Sequence, residues 1–410
     1  MRILLTANAS YVPPRGGATR SNLLWLEYMA ARGHDCRIVA AALAEGAGKR
    51  AQMAQEGMDR LTLMERGVEV YEVAEQSRQS LVLRRQIREF QPDWVLVSSE
   101  DLGHGLLREA HDSAPGRIIY LAHTPQFFPF GPASWNPDPG ATELVARAAA
   151  IVAIGQHTAA YIRQYSGREA VVIHPPIYGS GPFPNLASFD TGLVTMVNPC
   201  ALKGISILVA LAERFPAYGF GALPGWGTTA GDRAQMAAHS NIAMLPNCRH
   251  IVEFLSRTRI LLMPSLWYEG FGLTVMEAML HGIPVIASGA GGLVEAKMGT
   301  PFVVGAPAIK RYAPVFDEHS LPTPVIGPVD LRPWEDALRA LLTDRALYER
   351  VSADSREAAL RFAGSLDAGR MPEFLESLKP GERVRERPSL ANLSGEKRTL
   401  LLQMARGRKH

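Results

Sequence analysis

Met263-Pro264-Ser265-Leu266-Trp267-Tyr268-Glu269-Gly270-Phe271-Gly272-Leu273-Thr274-Val275-Met276-Glu277-Ala278-Met279 is the stretch that decides how the chain is read. An apolar run, Ile260 to Met263, enters it, and a helical apolar pattern at Leu273, Met276, Ala278 and Leu280 leaves it. Between them lies a glycine-bearing turn with two glutamates, Glu269 and Glu277, seven residues apart. Such a turn aims the backbone N–H groups of about Phe271 to Thr274 away from the sheet. The first N–H groups of a helix lack partners and its dipole is positive there, so the turn suits an anion. The spacing places Glu277 in the first helical turn and Glu269 on the loop ahead of it. Carboxylates so close to a phosphate would repel it, so hydroxyl groups are their natural partners. Phosphate donors flanked by hydroxyl acceptors describe a nucleotide-sugar site.

Outward from this stretch, strands and helices alternate in both directions. Upstream, buried strands are predicted at 2–7, 37–41, 68–71, 94–99, 117–123, 151–155 and 170–176. A loop with Gly16 and Gly17 opens a helix through Leu23, Leu26 and Met29 that closes at Gly33, and residues 79–90 form a basic helix. Residues 175–190 are rich in proline and glycine and read as a hinge. Beyond it a strand at 193–197, a loop Asn198 to Gly204 and a helix Ile205 to Arg214 restart the pattern. A strand and turn fall at 220–226, and Asn241 to Pro246 leads into a helix at 251–257. A strand at 260–263 enters the opening stretch, and Gly282 to Ser288 leads to a second glycine loop, Gly289 to Glu295. A loop-rich stretch, 301–332, precedes helices at 333–343, 345–364 and 371–378. This is an α/β chain of two doubly wound sheets. The expected domains are 1–178, a hinge at 179–190, 191–345, helices at 346–379 returning to the first domain, and a charged tail from 380 with a short helix capped by Ser394.

Size and composition agree. At 410 residues the chain exceeds what one core usually serves, and 47% hydrophobic residues supply two. A net charge of +3 argues against a nucleic-acid-binding protein as a whole. Cys36, Cys200 and Cys248 form no spaced framework and read as free thiols in a reducing compartment. The apolar N-terminal run is too short for a signal peptide, and no stretch is long enough to span a membrane. A cytoplasmic protein is expected, with membrane contact at most peripheral.

The stretch from Glu269 to Glu277 resembles the E-x7-E signature of retaining GT-B glycosyltransferases, notably family 4. Gly16-Gly17 resembles that family's first loop, His123 its acceptor-domain histidine, and Lys203-Gly204 its phosphate-binding lysine. Pro284 to Glu295 resembles its P-V-I-A-x-x-x-G-G-x-x-E segment. The resemblance implies two Rossmann-like domains facing across a cleft, with C-terminal helices crossing back. It implies that Glu277 binds ribose hydroxyls, and that Glu269 with the backbone of Gly270, Phe271, Gly272, Leu273 and Thr274 holds the sugar and diphosphate. Lys203 would neutralise the leaving group and Gly17 would approach it as the domains close. No metal or other cofactor is implied beyond the nucleoside-diphosphate sugar itself. The acceptor is a small molecule, a glycan or a lipid-linked species, and its choice lies in the variable N-terminal loops.

Some positions carry less. Family members commonly have an arginine where this chain has Asn198, which brings no charge. His123 ends a strand ahead of a proline and by itself reads first as a packed histidine, whereas the resemblance makes it the leading acceptor-side residue, orienting the sugar or the acceptor hydroxyl. Asp101 and His104 are cleft-edge candidates on the acceptor side. Trp226, Trp267 and Tyr268 are core residues or stacking platforms, and Pro246 to Arg249 lies where relatives form the base pocket. Arg84, Arg85 and Arg88 make a solvated face or touch anionic lipid. Leu393 to Leu401 resembles a stretch found beside modules of peptide and polyketide synthetases. A sugar-nucleotide epimerase or phosphorylase of the same fold, and a non-catalytic protein-binding relative, stay open as alternatives.

Overall fold

The computed structural model describes residues 1–382 apart from 15, 43–46, 249, 306 and 308. Among these residues an eight-stranded sheet and a six-stranded sheet form the centres of two halves. The first half contains β1 (Arg2–Ala7), α1 (Gly17–Ala30), β2 (Asp35–Ala41), α2 (Ala47–Glu56), β3 (Arg60–Glu65), β4 (Val68–Val73) and α3 (Gln76–Phe90). It continues with β5 (Trp94–Ser98), α4 (Gly105–Ser113), β6 (Ile118–Ala122), α5 (Pro139–Ala146), β7 (Ala150–Ala153), α6 (Gln156–Ser166) and β8 (Val171–Val172). The second half contains β9 (Leu193–Val197), α7 (Ile205–Arg214), β10 (Phe220–Leu223), α8 (Ala230–Ala237), β11 (Ile242–Met244), α9 (Ile251–Leu255) and β12 (Thr258–Met263). After these come α10 (Leu273–Leu280), β13 (Val285–Ser288), α11 (Leu293–Ala296), β14 (Val303–Val304) and a hairpin of β15 (Arg311–Phe316) and β16 (Pro322–Val325). Three helices follow: α12 (Arg332–Thr343), α13 (Arg345–Ser365) and α14 (Arg370–Ser377).

The first sheet runs β3-β4-β2-β1-β5-β6-β7-β8 and the second β11-β10-β9-β12-β13-β14. Every pairing in both is parallel except β3 with β4. Strands covered on both faces must be apolar throughout. Ile3, Leu4 and Leu5 of β1, Val95 to Val97 of β5 and Ile260 to Leu262 of β12 are all fully buried. The order reverses between β1 and β5 in one sheet and between β9 and β12 in the other. Such sheets take ligands in the crevice outside the strand ends at that reversal. The loops after β1, β5, β9 and β12 therefore mark the site.

Two elements differ from expectation. β3 pairs antiparallel at the sheet edge with only Leu61 buried along it, so it lacks the continuous apolar run of a central strand. β15 and β16 lie in the stretch expected to be a loop, where Pro314, Pro322 and Pro324 interrupt any strand pattern. The hairpin leaves Val315 and Phe316 exposed.

A single buried cluster runs from β1 and β5 through α10 to α14, joining Ile3, Trp94, Met276 and Leu375. The Trp94 indole N–H donates to the Leu375 carbonyl at 3.1 Å, so α14 is fastened to the first half's sheet. No described helix is long and apolar enough to cross a membrane.

Lys297, after α11, is fully buried and its Nζ donates to the Val285 carbonyl at 2.6 Å. Burial pushes its ammonium down from 10.5 to about 7. Between those values the unfolded chain binds more protons than the folded one, so stability rises with pH. The stability of Lys297→Met relative to the wild type is expected to fall by about 2 kcal/mol from pH 7 to pH 9. Guanidinium unfolding at the two pH values checks this; a constant difference would show that Lys297 titrates normally.

Candidate active site

The loops after β9 and β12 are joined through one carbonyl. Leu202 accepts from the N–H groups of Leu266 and Trp267, both at 3.0 Å, which lays Lys203 beside Glu269. Lys203 Nζ lies 2.5 Å from Glu269 Oε1, and Ser265 Oγ donates to the same oxygen at 2.8 Å. The Trp267 ring centre is 4.8 Å from that ammonium and the Trp226 ring centre 6.0 Å, so aromatic faces flank the lysine. Asn198, buried at the end of β9, accepts through Oδ1 from the Gly227 N–H at 2.9 Å and so holds the loop after β10. Its amide nitrogen has no partner among the described residues.

Glu277 is the fifth residue of α10, which corrects its expected place in the first turn. Helical Cα–Cβ bonds tilt toward the N-terminus, so the carboxylate leans back toward the start of the helix. Burial pushes it up to about 7, opposed by the Arg20 guanidinium at 3.8 Å. The N–H groups of Leu273 and Thr274 are the first of α10 and have no intrahelical acceptor.

In the first half, His123 lies buried just beyond β6 with Nε2 2.9 Å from Asn22 Oδ1. Asn22 Nδ2 donates to Tyr11 OH at 3.0 Å and to Ser98 Oγ at 3.2 Å, so its oxygen accepts and His123 carries its proton on Nε2. Ser98 in turn donates to Glu100 Oε2 at 3.4 Å. A one-way chain of donors thus runs from His123 to Glu100, and His123 Nδ1 is left as a bare lone pair without a partner among the described residues. Burial lowers His123 to about 3, which keeps the ring neutral at ordinary pH, and pushes the Glu100 carboxyl up to about 7.

The halves meet at the backbone of Gly270. A Cβ there would lie 2.0 Å from the His123 carbonyl oxygen and 3.1 Å from Ile154, so only glycine permits the approach. Thr158 Oγ1 donates to the Gly270 carbonyl at 3.0 Å. Glu295 accepts from the His157 N–H at the start of α6 at 3.2 Å and lies 2.8 Å from His174 Nε2. Phe271 stacks on Phe362 and meets His174 edge-on. On the other side, a Cβ at Gly17 would lie 2.5 Å from Leu273 Cδ1. The N-terminal turns of α1 and α10 therefore face each other.

Lys203 and Glu269 stand together ahead of the Gly270–Thr274 run, Glu277 follows one turn into α10, and Gly17 next to Gly16 reaches Leu273 from the first half. Asp101 and His104 instead shape the start of α4. Asp101 Oδ2 accepts from the N–H groups of Leu106 and Leu107, and His104 Nε2 lies 3.1 Å from the Asn136 carbonyl. Arg84 pairs with Glu109 and Arg85 with Asp59. Trp267 is buried, Trp226 is exposed, and Tyr268 packs edge-on against Tyr161. Arg249 of the expected base pocket, and the tail with Ser394 and the Leu393–Leu401 stretch, lie outside the described residues. Sequence reading missed Arg20, Asn22 and Glu100, and gave Glu295 no role. Asn22 did carry a signal: it is polar on the helix face that also presents Trp25, Leu26 and Met29.

Residues 15–178 match the family described as Glycosyltransferase Family 4, and residues 221–313 the family described as Glycosyl transferases group 1. No curated protein matches the sequence. Among solved structures, a glycosyltransferase from Rickettsia africae ESF-5 superposes with a TM-score of 0.63 at 13% identity, covering 92% of this chain and 98% of its own. HepE (Alr3699) of Anabaena, solved with UDP and glucose, gives 0.62 at 16% identity over 92% of this chain and 100% of its own. WaaG, a glycosyltransferase involved in lipopolysaccharide biosynthesis, gives 0.61 at 15% identity over 93% and 100%. At these identities the likeness is one of fold.

Gly270→Ala is expected to cost about 1–3 kcal/mol through overpacking against His123, lowering the melting temperature by several degrees. Gly364→Ala, on α13 with nothing near its Cβ position, is the control and should hold or gain stability. Calorimetric melting of both variants checks the contrast; equal melting temperatures would mean the halves do not meet at Gly270.

Proposed function

The chain belongs to the family 4 type of GT-B glycosyltransferases, and from that premise we propose that it moves a sugar from a nucleoside-diphosphate donor to an acceptor hydroxyl with retention of anomeric configuration. The Lys203–Glu269 pair beside the start of α10 carries this proposal. A lysine balanced by a glutamate is a charge held ready for exchange: a diphosphate takes the ammonium while a sugar hydroxyl takes the carboxylate. The free N–H groups of Leu273 and Thr274 add donors to the same oxygens. Glu277, one turn further in, meets the ribose hydroxyls.

In the reaction, the acceptor oxygen bonds to the anomeric carbon as the bond to the diphosphate oxygen breaks, and the acceptor's proton passes to the leaving diphosphate. Lys203 and the α10 amides stabilise the negative charge that develops there, so the step needs no divalent metal. His123 is neutral and offers only the Nδ1 lone pair, so its part is to accept a hydrogen bond from a substrate hydroxyl and orient it.

Thermal melting with UDP, GDP, ADP and dTDP identifies the base, because a ligand that binds the folded state raises the melting temperature. Lys203→Ala is expected to lower kcat by about 100-fold or more, as loss of charge stabilisation does. Glu277→Ala is expected chiefly to weaken donor binding. Unchanged donor affinity and turnover in both variants would sink the assignment. Asn22→Asp would set a carboxylate on His123 Nε2 and raise the ring's pKa, adding an inflection on the acid side of the rate profile that the wild type lacks. An identical profile would remove His123 from the site.

A further inference from the structure

Each of the paired glutamates rests on a cation, and the two cations come from different halves. Glu269 holds Lys203 of its own half, whereas Glu277 holds Arg20 of α1 across the junction. We propose that Arg20 is the second cation of the donor diphosphate site, kept on Glu277 until the donor arrives and then transferred to the phosphate oxygens. This rests on the nucleotide-sugar assignment above.

The placement is set by two facing helices. Gly17 and Arg20 are three residues apart on α1 and share one face, as Leu273 and Glu277, four apart, do on α10. Gly17 lies against Leu273, and one turn along Arg20 lies against Glu277. Arg20 therefore stands one helical turn from the N-terminal amides of α10, within the reach of an arginine side chain. At 3.8 Å the ion pair is too long for a hydrogen bond, and the Arg20 side chain is 53% exposed. Glu277 is its one ionic partner among the described residues. A loose, half-exposed pair exchanges at little cost.

Charge balance requires such a group. Above about pH 7, where Glu277 is ionised, Lys203 against Glu269 and Glu277 leaves the site one negative charge in excess, which opposes a diphosphate. Asn198 adds no charge and its oxygen is held by the Gly227 N–H. Arg20 brings the four side chains to neutrality, and the positive end of α10, worth roughly half a unit charge, then favours the anion. A cavity of about 300 Å³ opens beside the pair, bordered by Arg20, Glu277, Tyr178, Phe183 and Ile251. The Tyr178 hydroxyl is buried there without a partner among the described residues. Room, the rings of Tyr178 and Phe183 and an unmet hydroxyl lie where a nucleoside would extend from a diphosphate held by Arg20.

The test is calorimetric binding of UDP, GDP, ADP and dTDP, and of the four matching nucleosides by competition, to the full chain and to Arg20→Gln and Arg20→Lys. For the diphosphate the wild type prefers, Arg20→Gln should weaken binding tenfold or more, about 1.4 kcal/mol. The matching nucleoside should bind unchanged or slightly tighter, because Glu277 is freed. Arg20→Lys should keep most of the affinity, and the half-exposed site should leave both melting temperatures near that of the wild type. Equal losses for nucleoside and diphosphate would show that Arg20 only shapes the pocket and would overturn the proposal, as would an unchanged diphosphate affinity. A wild type that binds none of the four diphosphates would overturn the nucleotide assignment itself. Binding with no effect of Arg20→Gln defeats the Arg20 proposal alone.

Discussion

The approach of the Gly270 backbone to the His123 carbonyl is the constraint on which the site depends. It sets the loop carrying Glu269 directly on the strand end carrying His123, so groups from two sheets share one crevice. Any side chain at 270 would hold the halves apart. The surrounding contacts preserve that seating. Thr158 ties down the Gly270 carbonyl, Glu295 fastens the neighbouring loop to the start of α6, and Phe271 is wedged against Phe362 and His174. These contacts fix the start of α10, and with it the uncapped amides of Leu273 and Thr274. Position in the cleft is thus a consequence of packing at one backbone atom.

Electrostatics at the junction are balanced rather than strongly biased. Lys203 faces Glu269 and Arg20 faces Glu277, so the junction buries no uncompensated charge, which would be costly. On the proposed function, the two glutamates hold these cations until phosphate replaces them and then pass to hydroxyl groups. Asn198 falls outside this exchange, because its oxygen holds the loop after β10.

Most of this architecture was legible because parallel strands covered on both faces must be apolar from end to end, as Ile3 to Leu5 and Ile260 to Leu262 are. The edge strand β3 and the hairpin β15–β16 escaped because their residues are half-solvated or interrupted by prolines. Glu269 and Glu277 could be singled out because the loop–helix pattern around them is local in sequence, and Lys203 through the resemblance of Lys203-Gly204 to the family's lysine. Arg20, Asn22 and Glu100 were not, since their partners are 257, 101 and 2 residues away and only the second carries a polar anomaly on an apolar helix face. Glu100 is near its partner in sequence, but its burial comes from the fold. Asp101 shows the converse: a carboxylate after a strand reads as functional, while the amides of Leu106 and Leu107 make it a helix cap.

The unmet polar atoms give the crevice a direction. Asn198 Nδ2 can only donate, so it calls for an acceptor such as a phosphate oxygen or water. His123 Nδ1 can only accept, because the donor chain through Asn22 and Ser98 fixes its proton on the opposite nitrogen, so it calls for a hydroxyl. Tyr178 OH serves either role. Leaving such atoms buried and unpaired costs about 1–3 kcal/mol each, a cost that a ligand with matching groups removes. A ligand that places phosphate toward the second half and a hydroxyl toward the first satisfies both fixed polarities. The reverse orientation sets a phosphate oxygen against the His123 Nδ1 lone pair, acceptor against acceptor. On the proposed function, one orientation of donor and acceptor is therefore favoured by which side of each amide and imidazole the fold has occupied.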